Sequence, residues 1–126
     1  MKNLNLIKTE LAGFYGTSQF YRRFNPNSVY TDGIKHLLSE ADAQWLYDII
    51  ETTVFLKLKS HNIPDNYYLQ ISVKKDSDKM DMKLVDYKGN VLWKRHIDYT
   101  DFPYGDIELV CGWDGIRLTT CLHSEN

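Results

Sequence analysis

The sequence predicts an α+β fold, with N-terminal helices packed on one face of a C-terminal four-stranded antiparallel β-meander. Three observations lead there. Apolar residues recur at helical period through the first half, where Trp45, Leu46, Ile49 and Ile50 form one stripe. From Tyr67 onward the apolar period changes to two. Short turn sequences separate the alternating stretches, as they do between antiparallel neighbours. Helices that precede strands, rather than alternate with them, gather in one layer.

Residues 3–13 place Leu4, Leu6, Ile7 and Leu11 at helical spacing before Gly13, and Phe14 follows. Gly16-Thr17-Ser18 is a break that also offers an N-cap. The run Phe20, Tyr21, Arg22, Arg23, Phe24 fits either a short strand or a helical turn, and Asn25-Pro26-Asn27-Ser28 is a loop by composition. Tyr30-Thr31-Asp32-Gly33 is a turn that caps a short helix over residues 34–38. Ser39 and Asp42 read as a capping-box variant at the head of a longer helix, which starts near Glu40. That helix ends in the low fifties, or carries on through Val54, Phe55 and Leu58. Residues 60–66 link the two halves.

Alternation then marks the strands: Leu69, Ile71, Val73; Met80, Met82, Leu84; Val91, Trp93, Ile97, Tyr99; and Ile107, Leu109, Cys111. Ile116, Leu118 and Thr120 complete a last strand, after a turn at Trp113-Asp114-Gly115. The expected organisation is one domain over residues 1–126, helical to about residue 60 and a sheet from about 67 to 122.

A chain of 126 residues with 43% hydrophobic and 25% charged residues is an ordinary globular domain. A net charge of −2 provides no global field toward nucleic acid or anionic membrane. No apolar run approaches a membrane span, and the opening MKNLNLIKTE has no apolar core of a secretory signal. Cys111 and Cys121 are the only cysteines. A hairpin turning at Trp113–Asp114 would set Cys111 opposite about Ile116, so no disulfide and a cytoplasmic setting are expected. Nine tyrosines suit a contact face, although large rings more often fill a core.

No sequence signature of chemistry stands out. His36, His61, His96 and His123 show no histidine pair at i, i+4, and no Cys-x-x-Cys is present, so neither metal nor cofactor is expected. Glycine-rich phosphate loops and Gly-x-Ser-x-Gly are also missing. Asp98, Asp101, Asp106, Glu108 and Asp114 cluster toward the C-terminus. They serve turns, or form an acidic rim that imitates spaced phosphates, or supply an acid–base pair such as Asp98 with Asp101. Phe20, Tyr21, Arg22 and Arg23 form the aromatic–basic counterpart, a candidate docking segment. Tyr-Thr-Asp occurs at residues 30–32 and 99–101, each time before a bend, and reads as a structural joint.

The segments FYGTSQFYRR, YTDGIKHLLSEADAQWLYDII and GNVLWKRHIDYTDFPYGDIEL occur in that order. Together they resemble a family of small uncharacterised proteins, a domain of unknown function carried by phages and plasmids. That family often ends in a Leu-Pro-Ser-Glu-like segment; Leu122-His123-Ser124-Glu125 lacks the Pro. The resemblance brings no catalytic residues. It implies mobile elements, and hence an interaction protein that masks a host protein, such as a CRISPR–Cas or other bacterial defence component. The expected partner-binding residues are Phe20, Tyr21, Arg22, Arg23, Asp98, Asp101, Tyr104 and Asp106. A homodimer is compatible with this reading. A hydrolase using clustered carboxylates, or a weak nucleic-acid-binding module, is the alternative. With a Trp45-bearing helix laid across the sheet, no furnished cavity is expected.

Overall fold

Asn3 starts the first helix, its side chain accepting from the Leu6 amide at 2.9 Å. A computed structural model describes residues 3–126. The helices are α1 (Leu4–Leu11), α2 (Asp32–Glu40), α3 (Gln44–Ile49) and α4 (Phe55–His61), with a π-helical turn, Ile50–Val54, joining the last two. The strands are β1 (Ser28–Tyr30), β2 (Asp65–Val73), β3 (Met80–Val85), β4 (Val91–Ile97), β5 (Gly105–Trp113) and β6 (Leu118–Cys121). A 3-10 turn, His123–Glu125, follows β6.

The fold is α+β, but the sheet is not a four-stranded meander. It has six strands in the order β1-β6-β5-β2-β3-β4, and β1 runs parallel to β6. Strands β2, β3 and β4 are joined by hairpins, as expected. The chain then crosses back, and β5 pairs with β2, setting Leu69 against Leu109 and Ile71 against Ile107. The spatial order β5-β2-β3-β4 is a Greek key. Two properties of the sequence account for it. β4 carries adjacent Lys94, Arg95 and His96, all exposed, which suits an edge strand. β5 buries Leu109, Val110 and Cys111 in succession, so both its faces are covered, as in an interior strand. The connection between them buries Phe102 and Pro103 and is long enough to pass two strands.

Strand β1 falls in a stretch that composition marks as loop and turn. Its three residues pair Ser28 with Leu118 and Tyr30 with Thr120. The hydroxyls of Ser28 and Tyr47 lie 2.7 Å apart in the core, tying β1 to α3. The last strand starts at Leu118 rather than Ile116, which is exposed in the loop. Cys111 therefore lies opposite Thr120, and Cys121 opposite Val110. The two thiols are free and, one register step apart, project from opposite faces of the sheet.

The expected capping box at Ser39 and Asp42 does not form. Ser39 is inside α2, and Asp42 ends that helix with φ +49°. The Ala43 amide donates to the Leu38 carbonyl at 2.9 Å and the Asp42 amide to Ser39 at 3.2 Å. This is a Schellman motif, with Asp42 in the left-handed position usually held by glycine.

From Gln44 to His61 the chain is helical throughout, with the π turn at its centre. Leu46, Tyr47, Ile50, Val54 and Leu58 are fully buried against the sheet residues Leu69, Leu84 and Leu109. Trp45 is only half-buried: its ring meets Phe102 edge-on at 6.3 Å and flanks the core instead of centring it. The widened turn accompanies an inward Glu51, 3% exposed, whose carboxylate accepts from the Phe24 and Asn25 amides at 3.2 Å each. The side chain of Asn25 returns a bond to the Glu51 carbonyl at 3.0 Å.

Candidate functional site

Helices cover one face of the sheet, and the other face is left open. The registers place two polar rows across it. One row reads Asp106, Ser72, Asp81, His96 along β5, β2, β3 and β4. The next reads Glu108, Gln70, Lys83, Lys94. These rows floor a trough of about 1210 Å³. Lys8 and Leu11 of α1 and its C-cap Ala12 contribute to its lining, together with Leu122, His123 and Ser124 after β6. Because β6 pairs only with Val110–Trp113 of β5, the first half of β5 has a free flank, and α1 lies there. Lys8 Nζ donates to the Asp106 carbonyl at 3.1 Å. The expectation of a molecule with no furnished cavity is thus overturned.

Both signs of charge line the trough. Asp106 and Glu108 lie on the β5 side with Lys8 and His123, and Lys83, Lys94 and His96 on the opposite side with Asp81. His96 is held by two carboxylates: Nδ1 lies 2.7 Å from Asp81 and Nε2 3.0 Å from Asp98. Hydrogen bonding to Asp81 raises the His96 pKa above its ordinary value, with Asp98 adding to it against partial desolvation. Both ring nitrogens donate in the imidazolium, so this geometry stores a cation rather than a base. On the other side, Glu108 accepts from Gln70 Nε2 at 2.6 Å and lies 2.7 Å from His123 Nε2. The His123 ring stacks on Tyr68, 6° from parallel, with centroids 5.6 Å apart.

The expected binding residues divide. Asp106 lines the trough, and Asp98 reaches its rim through His96. Asp101 lies in a separate depression with Trp45, Ile97 and Tyr99. Tyr104 is exposed on the connection before β5. The aromatic–basic segment alternates in function. Tyr21 bridges to Tyr30 through two backbone bonds and donates its hydroxyl to Asp32 at 2.8 Å. Arg23 is 2.9 Å from both the Gln44 carbonyl and the Asp48 carboxylate. Phe20, Arg22 and Phe24 face solvent. Half of the segment is therefore a structural strap and half is a surface.

Ser72, Asp81, Lys83, Lys94 and His123 are trough residues that sequence reasoning passed over. The outward positions of the four strand residues were readable from alternation, whereas His123 lies in the turn after β6, and the juxtaposition of all five needs the strand order. Glu10, His36 and Glu40 also gather between α1 and α2, with one possible ligand atom from each lying within 4.8 Å of the others. His36 and Glu40 are spaced i, i+4, a signal that pairing histidines only with histidines overlooks.

A helical layer on one face of a mixed six-stranded sheet, with a trough on the other, defines the class: an α+β domain with an open sheet surface. The chain belongs to a family of unknown function, DUF6876, whose model matches residues 5–126. It is similar in fold to a protein of unknown function from Enterococcus faecalis, with 18% identity and a TM-score of 0.52 over 84% of this chain and 97% of that one. None of the curated protein sequences matches it. No helix among the described residues is long and apolar enough to cross a membrane.

Proposed function

We propose that this chain is a non-catalytic interaction protein that seats a segment of a partner protein in the trough. The observation that carries this reading is the pairing of two of the trough's titratable groups, His96 and Glu108, with neighbouring side chains. Two carboxylates hold His96, and Gln70 and His123 share Glu108, which leaves those groups as charge-bearing contacts rather than reactive ones. Interleaved carboxylates weigh against a phosphate backbone as the occupant. The exposed rings of Phe20, Phe24 and Tyr99 add contact surface outside the trough.

A host partner, and within that class a component of bacterial defence, is the further proposal, supported by the resemblance to proteins of phages and plasmids. Affinity capture from bacterial lysate tests both levels, with the full chain beside a variant whose trough floor is filled, Ser72→Trp. The reading expects one saturable partner at about micromolar affinity, lost with the filled trough while the folded spectrum is kept. No saturable partner, or equal capture by both proteins, would remove the proposal. Identification of the captured protein decides whether it belongs to a defence system.

A further inference from the structure

We infer that Glu10, His36 and Glu40 form a binding site for a divalent transition metal, Zn²⁺ in the first instance, that clamps α1 to α2. His36 and Glu40 lie one turn apart on α2, so their side chains project from one face of that helix. Glu10 reaches them from α1. One donor atom from each residue falls within 4.8 Å of the other two, so modest side-chain adjustment brings all three onto a common centre. One edge needs almost none. His36 Nε2 and Glu10 Oε1 are 3.3 Å apart. Donors on a tetrahedral ion with bonds of ~2.0 Å are separated by about the same distance.

The ring of Phe14 lies 5.4 Å from that of His36 and limits where the imidazole can sit. The His36 and Glu10 side chains are 29% and 37% exposed, so the donors are partly desolvated while solvent access remains.

The donor set selects the ion. One imidazole nitrogen with two carboxylates suits Zn²⁺ and its first-row neighbours; Ca²⁺ takes six or more oxygens, and Cu⁺ prefers sulfur. Three protein donors leave at least one position for water or a ligand. Both glutamates already make other contacts, for which an ion must compete, and this lowers the expected affinity. The structural consequence follows from α1, whose Lys8 and Leu11 contribute to the trough: an ion joining Glu10 to α2 would fix that wall. The site stands on its own geometry and does not depend on what the trough binds.

The test is titration of the metal-free full chain with Zn²⁺ and, as a spectroscopic probe, Co²⁺. The wild type should bind one ion, and a ~100-fold excess over Kd should raise Tm by about 10 °C. Co²⁺ should give the visible absorption of a four- or five-coordinate nitrogen–oxygen site. His36→Ala should abolish both effects, whereas His61→Ala, which alters a histidine at the end of α4, should keep them. Glu40→Gln serves as a second variant should His36→Ala fail to fold, and it should weaken binding ~10-fold or more. No saturable binding to the wild type, or unchanged binding in the folded His36→Ala or Glu40→Gln protein, would overturn the site.

Discussion

The Glu125 carboxylate stands where a side chain on Gly33 would have to be. A Cβ at Gly33 would lie 2.5 Å from Glu125 Oε1. The glycine amide donates to Glu125 Oε2 at 3.0 Å, and Thr31 Oγ1 and the Leu122 amide donate to Oε1 at 2.6 and 3.1 Å. A carboxylate thus sits at the N-terminus of α2, where it meets an unpaired amide and the positive end of the helix dipole. Tyr30-Thr31-Asp32-Gly33 and the final Leu-x-Ser-Glu segment, both noted as features of the sequence, are two halves of one joint.

Glu125→Ala should cost about 1–3 kcal/mol, because it removes three bonds to a charged acceptor. Gly33→Ala should cost about 1–3 kcal/mol through crowding. The pair should be non-additive, with Gly33→Ala milder once the carboxylate is gone. Urea denaturation of the two single variants and the double variant checks this, and strict additivity would count against the shared space.

Asp42 occupies a left-handed conformation at φ +49°, where a side chain is strained. Asp42→Gly should stabilise the fold by ~0.5–1 kcal/mol, and the β-branched Asp42→Val should destabilise it by about 1 kcal/mol or more. Thermal unfolding measures both. A loss of stability in the glycine variant would show that the Asp42 side chain contributes something beyond its backbone.

Asp32 holds the strap that precedes β1. The Ser18 amide and the Tyr21 hydroxyl donate to its carboxylate and lower its pKa from 3.8 to about 2. The folded state therefore binds this proton less readily than the unfolded chain does. Its stabilisation is complete above about pH 4 and is lost as pH falls toward 2. Asp32→Asn should flatten the acid limb of the stability profile over that interval. NMR titration of the carboxyl should place its midpoint near 2, and an ordinary midpoint would refute the bonding described.

His96 has the opposite sign. Its raised pKa makes the stabilisation by Asp81 and Asp98 fully present below the unfolded imidazole value of 6.5, and lost as pH rises through the folded value. Asp81→Asn should bring the imidazole midpoint down, and Asp98→Asn should do so by less, because Asp81 is the larger cause. Imidazole proton shifts followed against pH distinguish the two variants. If neither moves the midpoint, the two-carboxylate clamp is not formed in solution.

Periodicity made the layers legible. Alternation located β2 to β5 and gave the correct inward residues for β2 and β3, since each strand's pleat is a local property. In β4, however, the expected inward Val91 is exposed and Tyr99 lies exposed beyond the strand, and in β5 Val110 is buried as well. Pairing is not local. The apolar run Leu109-Val110-Cys111 marks β5 as an interior strand, covered on both faces, but does not name β2 as its partner. Strand β1 was missed because three residues carry no period, and the capping box failed because Ser39 and Asp42 suit a helix start and a helix end alike. The trough was hidden for the same reason as the sheet order: Asp81 meets His96, and Gln70 meets Glu108, only once neighbouring strands are known. The acidic residues singled out from the sequence reached it in part, through Asp98 and Asp106, whereas Arg23 and Tyr21 turned out to hold the chain in place.

Pairing β1 with β6 has a consequence for how this protein is made. The partners are separated by about ninety residues, so the contact forms against a large loop-closure entropy. On the ribosome, the helical half emerges well before the strand that Ser28–Tyr30 must join. Until residues 118–120 leave the exit tunnel, that end of the sheet has no neighbour and the hydroxyl of Ser28 has no enclosing core. Completion of the fold thus waits for β6, and a nascent chain stalled before Leu118 should be far more open to protease than one in which that strand has cleared the tunnel.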